Sequence, residues 1–407
     1  MENISFKLYI QIMKRIHESL LNFIDDEDNP EENFQNFNSL FNDLKIRDNI
    51  HMFKSLLHLI VEIGNNHHRG PNFFSKIGQV LRLFKEDIKK YFSNTEIYYI
   101  FISNKRIFLF LIEEKIIIID EFIARSLILP FYDNRYIDSN YPGYFAPEIK
   151  PFTNAKWYPK KRRIDSDNVY FEQIKKDLPE NFYELRKTGE NDNTICKLIR
   201  DDLVKEFIIY VNRNNIPLDS SIEESIFETN PFLNEMQTEF EIICSITKKP
   251  NDSCHEKMVS LIKYAAFFGS IQIFNYLRLN GVKLTQSIWP YAIHGRNPEI
   301  IKILEDVDID EKTDKVFKQC FVDSIKCHHN DIANYFLINF LENQKENLKD
   351  EFDQSFKYYN FAFMQDESVN EPLFECFCIY DYYIFVDALL KVQSIDIKGF
   401  ILKINCF

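Results

Sequence analysis

Residues able to do chemistry are present in this sequence, but few are spaced to do it together. His255-Glu256 is followed by Lys257-Met258-Val259, so the second histidine of a helical zinc motif is missing. No P-loop, dinucleotide fingerprint or Gly-x-Ser-x-Gly elbow occurs. Glu113-Glu114 and Asp201-Asp202 are adjacent pairs. Neighbours on a helix point about 100° apart, so these carboxylates read as solvated charges rather than an acid–base pair. Cys320, Cys327, His328 and His329 come nearest to a metal set. Zinc pairs usually have two to four intervening residues, a spacing that Cys320 and Cys327 do not match, so structural thiols and turn histidines are expected. Cys376 and Cys378 sit in an expected helix and read as buried thiols. The expectation is therefore no catalytic residue, no metal site, no cofactor and no evident small-molecule substrate.

Two polar clusters remain. Lys160-Lys161-Arg162-Arg163 reads as a solvated loop, with nuclear import or a phosphate contact as the alternative. His67-His68-Arg69 lies in a polar loop, Gly64 to Pro71, rich in turn residues.

Composition narrows the classes further. The 407 residues carry a net charge of −13, which lacks the basic footprint of a nucleic-acid binder, so no nucleic-acid partner is expected. Only 9 residues are Gly while 39 are Phe, which argues against glycine-dependent phosphate-loop and doubly wound folds. The longest apolar runs, Ile107 to Ile112 and Ile116 to Ile119, fall far short of the roughly 20 residues of a membrane span. Met1 to Tyr9 shows no secretory pattern, so the 8 cysteines are expected as reduced thiols and the chain as cytoplasmic, with the nucleus as alternative.

The elements that would position these residues are helical. Ile4, Leu8, Ile12, Ile16, Leu20 and Phe23 predict a helix over 3–24. Similar patterns predict helices over 31–46, 48–63 and 72–91, and a pair over 95–103 and 105–113. Six prolines between Pro130 and Asn181 predict a long irregular insertion. Helical patterning resumes near Asn193. The expected organisation is an N-terminal helical region over 1–130, an insertion over 131–190 and a repeat array over 191–407.

The array is read from self-similarity. Ser260 to Leu284 carries Ala265-Ala266, Gly269, Ile273-Phe274, Leu277 and Asn280-Gly281. This arrangement resembles the ankyrin repeat, although Ser260-Leu261-Ile262-Lys263 stands where its Thr-Pro-Leu-His opening would be. Small residues at 265 and 266 allow close helix packing, and Gly269 suits a left-handed helix end. The same offsets recur with Ala292, Ile300-Ile301 and Leu304; with Ser324, Ile332-Ala333 and Phe336; and with Phe377, Phe385-Val386 and Leu389-Leu390. Upstream, Phe207-Ile208, Val211 and Asn215 fit, and Tyr99 to Ile118 fits loosely. Ile226 to Leu233 is a candidate first helix of another repeat. Arg296, Asn330 and Asn215 stand where glycine is expected. A generic helical solenoid of another family is the rival reading.

Several phrases also resemble divergent ankyrin proteins of protozoan parasites that carry an uncharacterised ankyrin-like domain. They are Asn65 to Arg69, Ser103 to Arg106, Tyr144 to Phe152, Ser225 to Asn230, Ala265 to Ser270 and Cys327 to Asn334. The resemblance implies an all-α, ankyrin-like α-solenoid acting inside the cell as a non-catalytic protein-binding scaffold. The residues after each Ala pair would face a concave groove, making Phe267, Phe268, His294, Lys326 and Tyr380 the expected contacts with an unidentified protein partner. The packing alternative for Phe267 and Phe268 is burial against the insertion or a neighbouring repeat. A nuclear adaptor using 160–163 and an enzyme with an unfamiliar site are the alternative functions.

Overall fold

The computed structural model describes residues 6–128, 140–155, 178–234, 259–307, 314–343, 348–364, 376–383 and 386. The basic run 160–163 and His255-Glu256 lie outside them. All regular elements among the described residues are helical, with one isolated antiparallel bridge between Ser221 and Ser260. The chain divides into two compact units, residues 1–59 with 346–407, and residues 60–345.

In the first unit, α1 (Phe6–Asp25) packs against α2 (Pro30–Asp43). The start of α3 (Ile50–Asn66) adds Phe53, which meets Phe41. One face of α1 meets the late part of the chain: Phe6 contacts Phe356 and Phe377, and Tyr9 contacts Phe361. Phe356 belongs to the helix Lys349–Lys357.

The second unit begins with α4 (Phe73–Leu83), α5 (Lys85–Tyr91), α6 (Asn94–Phe101), α7 (Lys105–Glu113) and α8 (Glu121–Ile128). The expected helix over 72–91 is therefore two helices that break at Phe84, whose buried ring takes up the turn. Ser93 and Glu96 form a capping box that starts α6, and Asn104 caps α7. The expected irregular insertion contains a packed part. Helices α9 (Tyr141–Tyr144) and α10 (Ala146–Ile149) bury Tyr141, Tyr144, Phe145 and Ile149 against α8. Prolines at the first turn of each, Pro142 and Pro147, start helices here rather than forbid them.

Among the described residues, four helix hairpins follow α11 (Phe182–Thr188). They are α12 (Thr194–Arg200) with α13 (Val204–Arg213), α14 (Leu261–Phe267) with α15 (Ile271–Leu279), α16 (Trp289–Gly295) with α17 (Pro298–Asp306), and α18 (Asp314–Lys326) with α19 (Asn330–Asn339). First helices pack in file, α12 on α14, α14 on α16 and α16 on α18. Among second helices, α13 packs on α15 and α15 on α17. Ile226 to Leu233, expected as a helix, is a turn that becomes helical only from 231.

The turns repeat one geometry. Asp202, Gly269, Arg296 and His328 have φ of 47°, 68°, 52° and 56°. Gly269, Arg296 and His328 stand four residues past Ala265, Ala292 and Ser324, whereas Asp202 stands three past Ile199, the position that Phe207-Ile208 sets by the same offsets. Closing bonds run from Leu203 N to Leu198 O (3.0 Å), Ser270 N to Ala265 O (2.9 Å) and His329 N to Ser324 O (3.0 Å). These left-handed ends satisfy the last helical carbonyls. Arg296 fulfils its expected place, but in the last hairpin His328, not Asn330, takes the left-handed position. Asn215 and Gly281 end second helices with φ of 50° and 91°. Ser270, Asn297 and His329 then tie each turn to the one before it. Their side chains donate to Ile199 O (2.5 Å), Gly269 O (2.8 Å) and Ile293 O (2.9 Å). Asp202, expected as a solvated charge, accepts instead from Gln272 N and Ile273 N at the start of α15.

Candidate functional site

Phe267, His294 and Lys326 lie at the C-terminal ends of α14, α16 and α18, and Phe268 directly follows α14. Ala265, Ala266 and Ala292 are fully buried between successive hairpins. A Cβ on Gly295 would lie 2.0 Å from Ala266 O, so α14 and α16 touch through backbone. The expectation of exposed anchors is corrected by burial. Phe267 is 6% exposed and His294 3%. Both are covered by Phe232, which stacks on Phe267 at 5.9 Å and on His294 at 4.4 Å. Phe268 and Lys326 are half-buried, and Lys326 Nζ lies 5.4 Å from the Phe232 ring centre. Tyr380 is half-buried in the other unit, where its carbonyl accepts from the Tyr359 hydroxyl. The inner face is thus filled by the chain itself, through residues 67–69 and the segment around Phe232. A cavity of about 10 Å³, room for one water, remains between His67, His68, Arg69, Phe267, Phe268 and His294.

The resemblance phrases that seemed scattered meet at this place. Asn104 Nδ2 donates to Asn65 Oδ1 at 2.9 Å, and Asn65 Nδ2 to Ser103 Oγ at 3.3 Å. Arg69 Nη1 donates to Thr229 Oγ1 at 3.2 Å and lies 3.9 Å from Glu228 Oε1. Lys105 Nζ donates to Glu228 O at 3.1 Å and stands over the Tyr141 ring. Glu228 itself accepts from Asn230 N (2.8 Å) and Asn191 N (3.3 Å). On the far side, Tyr144 donates to Arg186 O, while Arg186 pairs with Glu148 at 2.7 Å. Polar residues converge here because the Gly64–Asn66 end of α3, the α6–α7 turn and the 228–230 turn all present backbone groups that need partners.

Histidines fasten the loop to the hairpins. His67 Nδ1 lies 2.8 Å from Cys327 O, and His329 Nδ1 lies 2.9 Å from Ile293 O. A carbonyl only accepts, so both nitrogens carry the proton. His329 Nε2 accepts from His68 N at 3.3 Å, and His294 is bonded to the Asn66 backbone. The two imidazoles of His67 and His329 meet edge-on at 4.9 Å.

Burial dominates the electrostatics. It holds His294 and His329 well below the usual histidine range, and nearby Lys326 and His67, respectively, add to the effect. It raises Glu228 above the usual carboxylate range, with Arg69 opposing. Asp323 is pushed up to about 6. Burial also pushes the thiols of Cys320 and Cys327 well up, so neither is a ready nucleophile or metal ligand. Among the described residues no group of three or more His, Cys, Asp or Glu side chains is placed to hold a metal ion. No described helix is long and apolar enough to cross a membrane.

The residues that sequence reasoning missed are Glu228, Thr229, Asn104 and Phe232. Their only signal was membership of, or closeness to, the phrases quoted above. Comparison of the chain with family models, curated proteins and solved structures found no match.

Proposed function

We propose that this chain is a non-catalytic scaffold that binds another protein through divergent, ankyrin-like repeats. The observation that carries the reading is the recurring hairpin turn, with a left-handed residue at Asp202, Gly269, Arg296 and His328 and, in the later three, a side-chain bond back to the previous turn. Stacked units of this kind build one continuous core and leave extended surfaces for partners. The inner groove is the usual such surface in ankyrin repeats, but here Phe267 and His294 are buried, and Phe268 and Lys326 are half-buried. Exposed apolar side chains lie instead on or at the ends of second helices: Ile209, Leu279, Tyr335 and Ile338. We therefore place partner contacts on that outer side.

The test is co-purification from the native source with the intact chain, followed by two sets of variants checked for unchanged circular dichroism. Ile209→Asp with Ile338→Asp is expected to release a stoichiometric partner, and Phe268→Ala with Lys326→Ala to retain it. The opposite pattern would return the contact to the groove. Absence of any stoichiometric partner would remove the scaffold reading itself.

A further inference from the structure

We propose that His329 is a protonation-controlled latch, which in its neutral form holds residues 67–69 over the inner face of the hairpins and on protonation lets them lift away. The inference rests on donor and acceptor geometry. His329 has a bond on each ring nitrogen: Nδ1 faces the Ile293 carbonyl at 2.9 Å and Nε2 faces the His68 amide at 3.3 Å. The carbonyl can only accept and the amide can only donate. One form of the ring satisfies both, the neutral Nδ1–H tautomer. A second proton on Nε2 would set N–H against N–H and break the bond that reaches the loop.

The surroundings offer the imidazolium no compensation. From the loop, His67, His68 and Arg69 face the cluster, and α16 and its turn contribute His294 and Arg296. From α18 comes Lys326. Carboxylates beside these cations are already engaged by them: Asp331 pairs with Arg296 at 3.1 Å, Glu228 lies beside Arg69, and Asp323 lies beside Lys326. The groups that act on His329 itself, His67, His68, His294 and Arg296, are histidines or a cation, so opening is the way to accommodate its charge. Lifting the loop uncovers the cavity lined by Phe267, Phe268 and His294. The latch goes beyond the scaffold reading, since it is read from the chain alone and needs no partner.

The sign is set by linkage. A closed loop excludes the second proton, whereas an opened His329 titrates near the ordinary histidine value, about 6.5. Below that pH, opening should grow by about tenfold per pH unit, the signature of one proton. The experiment measures amide exchange over residues 66–70 in the intact chain between pH 7.5 and 5.5, corrected for intrinsic rates. It also reads the His329 tautomer by nitrogen NMR. The expected result is an Nδ1–H ring at pH 7.5 and loop opening that rises with acid while α14 and α16 stay protected. His329→Gln, which keeps a donor and an acceptor but does not titrate, should flatten the dependence. His329→Phe should open the loop at every pH. An Nε2–H tautomer, or loop exchange that rises only with global unfolding, would overturn the latch. If His329→Phe fails to fold, the wild type against His329→Gln still decides.

Discussion

At the scale of single residues, burial decides what each side chain does. Phe267 was chemically suited to anchor a partner, yet its ring packs against both Phe232 and His294. Phe267→Ala is expected to cost about 3–5 kcal/mol, read as a fall in the urea midpoint, while the half-buried Phe268 costs less. Equal losses at both positions would show that the stacking does not discriminate them. Gly295 is constrained more tightly still, because its missing Cβ makes room for Ala266 O. Gly295→Ala should destabilise by about 1–3 kcal/mol by forcing α14 and α16 apart, and a neutral substitution would refute that close approach. In the first unit, burial alone would raise the Asp381 carboxyl. Hydrogen bonds from His58 and Lys54 outweigh it and hold the carboxyl well below the usual range. A depressed carboxylate adds stability above its unfolded value, about 3.9, and that stability is lost as pH falls below it. Asp381→Asn should therefore cost about 1–3 kcal/mol at pH 7, and the cost should shrink gradually as pH falls below about 3.9 towards the depressed folded value.

At the scale of elements, the repeat lives in its turns rather than in its glycines. Asp202, Arg296 and His328 adopt the conformation that Gly269 adopts freely, at about 1 kcal/mol or more each, offset by the bonds the turn completes. This explains why four hairpins of one geometry look unalike in sequence. Asn297 joins two jobs: it caps α17 through Glu299 N and Ile300 N and donates to Gly269 O. Asn297→Ala should cost about 1–2 kcal/mol and raise amide exchange at the start of α17. Exchange unchanged at Glu299 and Ile300 would contradict the cap. Helix existence was legible because apolar periodicity is local. Helix ends were not, as at Phe84 and Asn66, where burial and tertiary bonds set the stop.

At the scale of the whole molecule, each unit is assembled from distant stretches. Phe6 and Tyr9 of α1 rest on Phe356, Phe361 and Phe377. A chain ending at 345 should thus leave that face of α1 uncovered, and proteolysis should cut sooner within 6–25 than in the intact chain. Unchanged cutting would show that α1 and α2 suffice alone. In the second unit the phrases from Asn65 to Asn334 form one polar junction, with Arg69 and Thr229 bonded across 160 residues of chain.

The helical class and the turns at Gly269 and Arg296 were legible in the sequence. Those properties follow from spacing within some thirty residues, where periodicity and left-handed ends leave a local trace. Only the tertiary structure decided that the inner face is covered, that Asp202 is a cap and not a solvated charge, and that His67, His294 and His329 meet. No local pattern encodes which distant segment fills a groove. That choice belongs to the packing and hydrogen-bond demands of buried surfaces, which exist only once the chain has folded.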